Sequence, residues 1–159
     1  MPRTPRSALP PFAIFHAVNR GANHCEIYRD DADRKTFLTM LGRVVHEWEW
    51  TCHAYCLMTT HYHLIVETEN PRLSSGMQRL HSRYAMYFNR RHDRDGHLWG
   101  GRYTVYVIED GERLEASCLY VLDNPVRAGL CAKPEDWRWS ARFQGQTPGR
   151  VQGSDPKSA

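Results

Sequence analysis

Two histidines one residue apart, His61 and His63, are the residues of this sequence whose type and spacing point most directly to chemistry. They begin an apolar, β-branched run, Leu64–Val66, that is typical of a strand. Because alternate side chains of a strand share one face, both imidazoles point the same way, and Tyr62 points to the opposite, core side. Two imidazoles on one face suit a divalent metal ion with open coordination positions. Histidines that only pack or form hydrogen bonds are also common in strands, so the pair alone leaves both interpretations open.

A tyrosine and an asparagine four residues apart could complete such a site. Residues 112–124 have the pattern of a helix that begins after Gly111 and is stopped by Pro125. Tyr120 and Asn124 then share a helical face, which presents a phenol and an amide oxygen together. Tyrosine can form covalent intermediates, and a divalent cation stabilises charge that develops on a phosphate. From the residues alone, Tyr120 could equally be a core or helix-end tyrosine. Asn124 could equally be a helix stop whose amide bonds nearby backbone.

The segment Asn124–Leu130, preceded by Tyr120, resembles the signature of the REP-associated tyrosine transposases. These are single-tyrosine members of the HUH class (His-hydrophobic-His) of single-strand DNA transposases. The resemblance covers residues 12–143, and two departures from the family pattern precede or interrupt the histidine pair. Thr59–Thr60 stands where the family usually has Pro-Asn, and Tyr62 is bulkier than most middle residues. Four further segments agree in order and spacing: Ala17–Gly21, Ala54–Met58, Tyr84–His92 and Gly96–Tyr103.

This resemblance implies metal-dependent cleavage and rejoining of single-stranded DNA, with Tyr120 as the nucleophile and a 5′-phosphotyrosine intermediate. It implies that His61, His63 and Asn124 hold the metal, and oxygen chemistry at phosphate favours Mg²⁺ or Mn²⁺. The implied substrate is a set of palindromic repeats that fold into hairpins beside a recognition tetranucleotide. Two alternatives stay open. One is a non-catalytic DNA-binding protein or repressor on the same fold, and the other is a hydrolase that activates water with the two histidines.

Arginine supplies nearly all the positive charge of this chain, whose formal net charge is +3. The planar guanidinium suits phosphate oxygens, and an indole such as that of Trp99 can stack on a base or anchor a core. Three arginines fall on one sector of a predicted helix, beside its apolar stripe, where a solvated polar face is the alternative. The candidate DNA-binding residues are Arg20, Arg79, Arg83, Arg90, Arg91, Trp99, Arg102 and Arg127.

The cysteines and the hydropathy indicate the compartment. The five cysteines lack paired CxxC spacing, and no signal peptide or bilayer-length apolar run is visible, so we expect free thiols in a reducing cytoplasm. We expect no membrane association. Cys52 and Cys56 lie near several histidines, but their spacing along a strand favours packing as small buried hydrophobes over zinc binding.

The order of predicted elements indicates an α+β fold. Strand, helix, strand, strand, helix, strand is the βαββαβ order of a ferredoxin-like antiparallel sheet, with two helices on one face. The other face is then free for the histidines and for an added C-terminal helix carrying Tyr120. One domain, 12–143, is expected between a disordered arm, 1–11, and a disordered tail, 144–159, in a monomer or homodimer. The predicted strands are 12–19, 50–58, 61–68 and 103–109, the predicted helices before the Tyr120 helix are 31–48 and 73–92, and a short segment, Trp137–Trp139, closes the domain.

Overall fold

A computed structural model of the chain describes residues 3–143. The βαββαβ order is confirmed, and it is followed by the expected additional helix and by a short fifth strand. None of the helices in this described part is long and apolar enough to cross a membrane. The strands are β1 (Phe12–Arg20), β2 (Thr51–Leu57), β3 (His61–Glu69), β4 (Thr104–Ile108) and β5 (Ser140–Arg142), and the helices are α1 (Asp31–Glu47), α2 (Asn70–Arg91) and α3 (Gly111–Arg127).

The strands form one antiparallel sheet in the order β4-β1-β3-β2-β5. The central pair is β1 and β3, in a register that puts Arg20 opposite His61 and Val18 opposite His63. Helices α1 and α2 cover the face that carries Tyr62 and Leu64, which are fully buried there as the alternation along β3 predicts. The opposite face carries the two histidines and is partly covered by α3.

Aromatic rings fill the space between the sheet and the two long helices. The ring of Phe37 from α1 lies 5.1 Å, between centroids, from both Tyr62 of β3 and Tyr84 of α2. Each such ring contributes about 1.5–3 kcal/mol by leaving water. The middle of β3 therefore rests on a densely packed layer, and the histidines project from the other side of a rigid strand.

The predicted end of the tyrosine helix is wrong. Helix α3 passes through Pro125 and ends at Arg127. The amide of Gly129, at φ +73°, donates to Val126, and the amide of the next residue, Leu130, donates to the carbonyl of Pro125. This pair of bonds is a Schellman motif, in which glycine takes the left-handed conformation that ends a helix. The glycine ends α3, and the proline lies in its last turn.

The N-terminal segment also differs from expectation. The sequence predicts a disordered arm over residues 1–11, whereas the described part of it, residues 3–11, lies against β4. The amide of Thr4 donates to the carbonyl of Val105 at 3.0 Å, and the guanidinium of Arg6 lies 4.2 Å from the ring centroid of Tyr103. The outer edge of β4 offers backbone groups that Thr4 can pair with, ahead of a short 3-10 helix at Arg6–Ala8. The predicted tail, 144–159, lies outside the described residues.

The close packing of Gly76 against Trp50 gives a test of this core. A Cβ at Gly76 would lie 2.9 Å from Cε2 of the Trp50 indole, which is closer than a real Cβ approaches another atom. Alanine normally stabilises a helix interior by about 1 kcal/mol relative to glycine, but overpacking a core costs about 1–3 kcal/mol. We expect Gly76→Ala to lower the free energy of unfolding, measured by urea denaturation. Gly111→Ala is the control, because no atom lies within 4 Å of its added Cβ. Equal stabilisation by both substitutions would contradict the packing described.

Candidate active site

Three histidines from two neighbouring strands meet on the face of the sheet opposite the aromatic core. His61 and His63 lie side by side with ring centroids 5.3 Å apart, so the prediction that they share a face is confirmed. His16 of β1 joins them, with its Nε2 atom 3.0 Å from Nδ1 of His63. The Nδ1 atom of His61 lies 3.1 Å from the hydroxyl oxygen of Thr60. Both members of the predicted pair are therefore held at Nδ1.

The electrostatic environment keeps these imidazoles neutral at physiological pH. Burial, together with smaller contributions from the neighbouring imidazoles and arginines, lowers the pKa of His63 to about 3. Burial also lowers the pKa of His61 to about 4, with a contribution from Arg20, and that of His16 to about 4. A neutral imidazole has a lone pair on one ring nitrogen, which is the form that binds metal ions.

Helix α3 brings Tyr120 to the histidines. The helix begins where the Asp110 carboxylate accepts the amide hydrogen of Arg113 at 2.8 Å, a typical N-cap. It packs on the sheet through Cys118 and Val121, which belong to a small buried cluster with residues of β2, β3 and β4. The ring centroid of Tyr120 then lies 6.3 Å from that of His63, and the side chain is 53% exposed. The nucleophile candidate is therefore both close to the histidines and open to solvent.

Arg127 contacts Tyr120 directly. Its guanidinium carbon lies 4.1 Å from the centroid of the tyrosine ring, a cation–π distance. The same guanidinium donates to the backbone carbonyl of Tyr120 and to the carboxylate of Asp123, both at 3.1 Å. Of the arginines predicted to bind DNA, this one is fixed against the tyrosine ring.

Asn124 lies one turn beyond Tyr120 and its side chain turns partly to the backbone. The amide nitrogen lies 3.3 Å from the carbonyl oxygen of Tyr120 and 3.5 Å from that of Val121. The Val121 carbonyl would otherwise lack a helical donor, because Pro125 has no amide hydrogen. Among the described residues, the Oδ1 atom of Asn124 has no hydrogen-bond partner. The Asn124 side chain can therefore bond the helix backbone through its nitrogen and still offer its Oδ1 atom to a ligand.

The residues present fit a divalent metal ion. Within residues 3–143 no group of three histidine, cysteine or acidic side chains has the geometry of a metal site, so a third protein ligand must be of another type. Asn124 offers such a ligand through its amide oxygen. In the same described part, the Nε2 atoms of His61 and His63 have no hydrogen-bond partner, while their Nδ1 atoms are held. Metal-binding histidines are typically oriented in this way by a partner at the second ring nitrogen.

An open cleft of about 770 Å³ lies between α3 and the sheet; His63 and Tyr120 line it, whereas His61 and Asn124 are not among its lining residues. His16, Tyr106, Arg113 and Ser117 also line it, although no sequence pattern predicts them as site residues. His16 is four residues before Arg20 in β1, so the two side chains lie on the same face of the sheet. The contact of His16 with His63 depends, in addition, on the register of β1 against β3. The lining residues are His16, Val18, Arg20, His63, Tyr106, Arg113, Ala116, Ser117 and Tyr120.

The three arginines predicted along α2 are not brought to this cleft. Arg79, Arg83 and Arg90 are exposed, but α2 covers the opposite face of the sheet. Arg20, in contrast, lines the cleft and lies 3.0 Å from His24, between its Nη1 atom and the imidazole Nδ1. The predicted basic residues therefore divide between the two sides of the molecule.

Arg91 is held by acidic side chains. Its guanidinium bonds the carboxylate of Asp30 at 2.6 Å and that of the fully buried Asp33 at 2.7 Å. Asp33 also accepts from Tyr87 and bonds His92, so the cluster ties the start of α1 to the end of α2. This position of Arg91 indicates a structural role.

Trp99 serves partly as an anchor. Its indole nitrogen donates to the carbonyl of His81 at 3.0 Å, and its ring meets that of Tyr62 edge-on at 5.8 Å. The half-buried indole also lines a second groove of about 370 Å³, together with Gln78 and Arg102. Both interpretations of Trp99 from the sequence thus retain support.

Comparison with known proteins agrees with this architecture. The family profile described as "Transposase IS200 like" matches residues 13–124. No curated protein sequence matches the chain significantly. A solved structure of a REP-associated tyrosine transposase bound to a REP hairpin is similar, with a TM-score of 0.66 and 17% sequence identity over 88% of this chain and 82% of that one. At this identity the structural likeness demonstrates a shared fold, and the match to the profile demonstrates the family. The chain belongs to the family of IS200-like transposases.

Proposed function

We propose that this protein cleaves and rejoins single-stranded DNA, with Tyr120 as the nucleophile. The observation that carries the proposal is the position of the exposed Tyr120 ring, 6.3 Å from the ring of His63 at an open cleft. The tyrosine stands beside neutral imidazoles and a guanidinium, which are groups that can hold and polarise a phosphate. Membership of a transposase family supports DNA as the substrate.

The proposed reaction is a transesterification. The phenol oxygen of Tyr120, which is exposed, gives its proton to solvent and attacks the phosphorus of a phosphodiester in line, and the leaving 3′ oxygen takes up a proton from solvent. A bond from tyrosine oxygen to phosphorus forms, and the bond to the 3′ oxygen breaks, which leaves a 5′-phosphotyrosine and a free 3′-hydroxyl. Attack by a 3′-hydroxyl reverses the exchange and releases Tyr120. One ester replaces another at each step, so rejoining requires no ATP.

Different side chains would bind the metal ion, position Tyr120 and bind the phosphates of the DNA strand. His61 and His63, through Nε2, and Asn124, through Oδ1, would hold Mg²⁺ or Mn²⁺. A divalent ion bound there would supply electrophilic stabilisation of the charge that develops on the scissile phosphate. Arg127 fixes the Tyr120 ring by stacking and by its bond to the backbone carbonyl. Arg20, which lines the cleft, neutralises phosphates of the bound strand.

The proposed substrate is a palindromic repeat that folds into a hairpin, as in the REP-associated group. The similar solved structure is that of a transposase bound to a REP hairpin, which supports this choice. Arg79, Arg83 and Arg90 on α2, with Arg102 and Trp99 at the second groove, would contact DNA away from the scissile phosphate. Sequence-independent contacts of this kind supply affinity and make it salt-dependent. We leave Arg91 out of this proposal because Asp30 and Asp33 bind its guanidinium.

Tyr120→Phe tests the nucleophile. The substitution keeps the ring and its stacking with Arg127 but removes the attacking oxygen. We expect no covalent protein–DNA adduct and no cleavage of a labelled hairpin oligonucleotide with Mn²⁺ on a denaturing gel, with DNA affinity within a few-fold of wild type. Tyr106→Phe is the matched control, because Tyr106 lines the same cleft and should keep both activities. Cleavage by the Tyr120 variant at the wild-type rate would point to water as the nucleophile, as in a hydrolase.

Asn124→Ala and Asn124→Asp test the third ligand. The alanine variant should require more Mn²⁺ for half-maximal cleavage, whereas the aspartate variant should need the same or less, because a carboxylate is the harder ligand. His61→Ala, His63→Ala and chelation of the wild type should each abolish cleavage. An unchanged Mn²⁺ titration in Asn124→Ala, combined with a lower melting temperature, would assign Asn124 to the backbone role alone.

The lowered pKa values of the histidines predict a pH dependence of the metal-free protein. With a pKa of about 3 for His63 and about 4 for His61, both imidazoles should stay neutral at about pH 5.5 in NMR titrations. In the urea-unfolded chain the same groups should titrate near about 6.5. The unfolded chain then binds more protons below that value, so the free energy of unfolding should fall as the pH is lowered from about 6.5 toward 4. Folded-state midpoints near the unfolded value would refute the burial argument.

A further inference from the structure

His16 is a buried imidazole to which the proposed reaction assigns no role. It lies in the middle of β1, opposite Ile65 of β3, with its side chain on the histidine face. The residue is 7% exposed, and its Nε2 atom is 3.0 Å from Nδ1 of His63. Its ring also lies 5.6 Å from that of Tyr106 and 6.5 Å from that of Tyr120, between centroids. These neighbours hold the His16 ring beside His63.

A hydrogen bond between two neutral imidazole nitrogens needs one donor and one acceptor, so two arrangements are possible. In the first, His63 carries its hydrogen on Nδ1 and donates it to Nε2 of His16. The Nε2 atom of His63 then has a free lone pair. In the second, His16 donates from Nε2, and neutral His63 must carry its own hydrogen on Nε2. A metal ion can bind the Nε2 atom of His63 only in the first arrangement.

We propose that His16 is a positioning residue that accepts the Nδ1 hydrogen of His63 and thereby holds the Nε2 lone pair ready for the metal ion. This inference rests on the metal site of the proposed function. Thr60 takes the corresponding place beside His61, where its hydroxyl meets Nδ1 at 3.1 Å. The two ligands thus receive partners from different elements, one from the turn before β3 and one from the neighbouring strand. Loss of such an outer partner typically weakens metal binding about 10–100-fold.

The first measurement is the tautomer of His63 in the metal-free and DNA-free protein, read from the ¹⁵N chemical shifts of its imidazole. We expect the hydrogen on Nδ1 in the wild type. A hydrogen on Nε2 would overturn the proposal, because His16 would then be the donor. This measurement requires no cleavage activity, so its result is independent of the reaction proposed for Tyr120.

The second measurement is Mn²⁺ affinity without DNA, by electron paramagnetic resonance of free Mn²⁺. His16→Phe keeps a planar ring but deletes the acceptor, and should weaken Mn²⁺ binding about 10–100-fold. His16→Gln offers a carbonyl oxygen near the place of Nε2 and should stay within a few-fold of wild type. Tyr106→Phe, a substitution at the neighbouring ring, should leave the affinity unchanged and serves as the control.

The outcomes separate this inference from the proposed function. If both His16 variants bind Mn²⁺ as tightly as wild type and differ only in melting temperature, His16 is a packing residue and the inference fails while DNA cleavage can stand. If the wild type binds Mn²⁺ with the expected dependence on His16 but forms no DNA adduct, the proposed reaction fails and the inference stands. Failure of the wild type to bind Mn²⁺ would overturn both.

Discussion

The alternation of side chains along β3 is the constraint on which the rest of this structure depends. Tyr62 and Leu64 enter the core beneath α1 and α2, and His61 and His63 therefore face the other side. A slip of one residue would exchange the two sets and place imidazoles in the aromatic layer. The burial of Tyr62 against Phe37 and Trp99 thus does more than stabilise the fold, because it fixes the direction in which the histidines project.

The pairing of β1 with β3 adds a second level of order. The register opposite Ile65 brings His16 within 3.0 Å of His63, across two strands that are distant in sequence. Helix α3 adds a third level, since it lies across the same face and presents Tyr120 near both rings. Each level depends on the one before it, so the geometry of the candidate site follows from sheet register before any feature of the cleft is considered.

Much of this arrangement could be predicted from the sequence because it depends on local periodicity. The shared face of His61 and His63 and the order of the elements follow from local spacing, whereas the expectation that Tyr120 meets the histidines depends on the family resemblance. The sequence predicts the wrong end for α3 because Pro125 is a typical helix breaker, whereas the helix ends at the Schellman motif of Gly129. The ion pairs of Arg91 and the partnership of His16 with His63 involve long-range contacts, which no local pattern contains. Arg79, Arg83 and Arg90 lie on the side of the sheet away from the histidines because α2 packs against that side, and this packing is also a long-range contact.

The interface between α3 and the sheet includes three small side chains, those of Ala54, Cys56 and Cys118, beside larger ones such as Ile65. These side chains take no part in the proposed reaction, but their volume sets the distance between α3 and the face of the sheet that carries the histidines. Tyr120, Asn124 and Arg127 all lie on α3, so any shift of this helix moves them together relative to His61 and His63. An added methyl group or thioether at this interface would change the distance between Tyr120 and His63 without altering either side chain. Positions that look like plain core packing therefore also set the geometry of the candidate site.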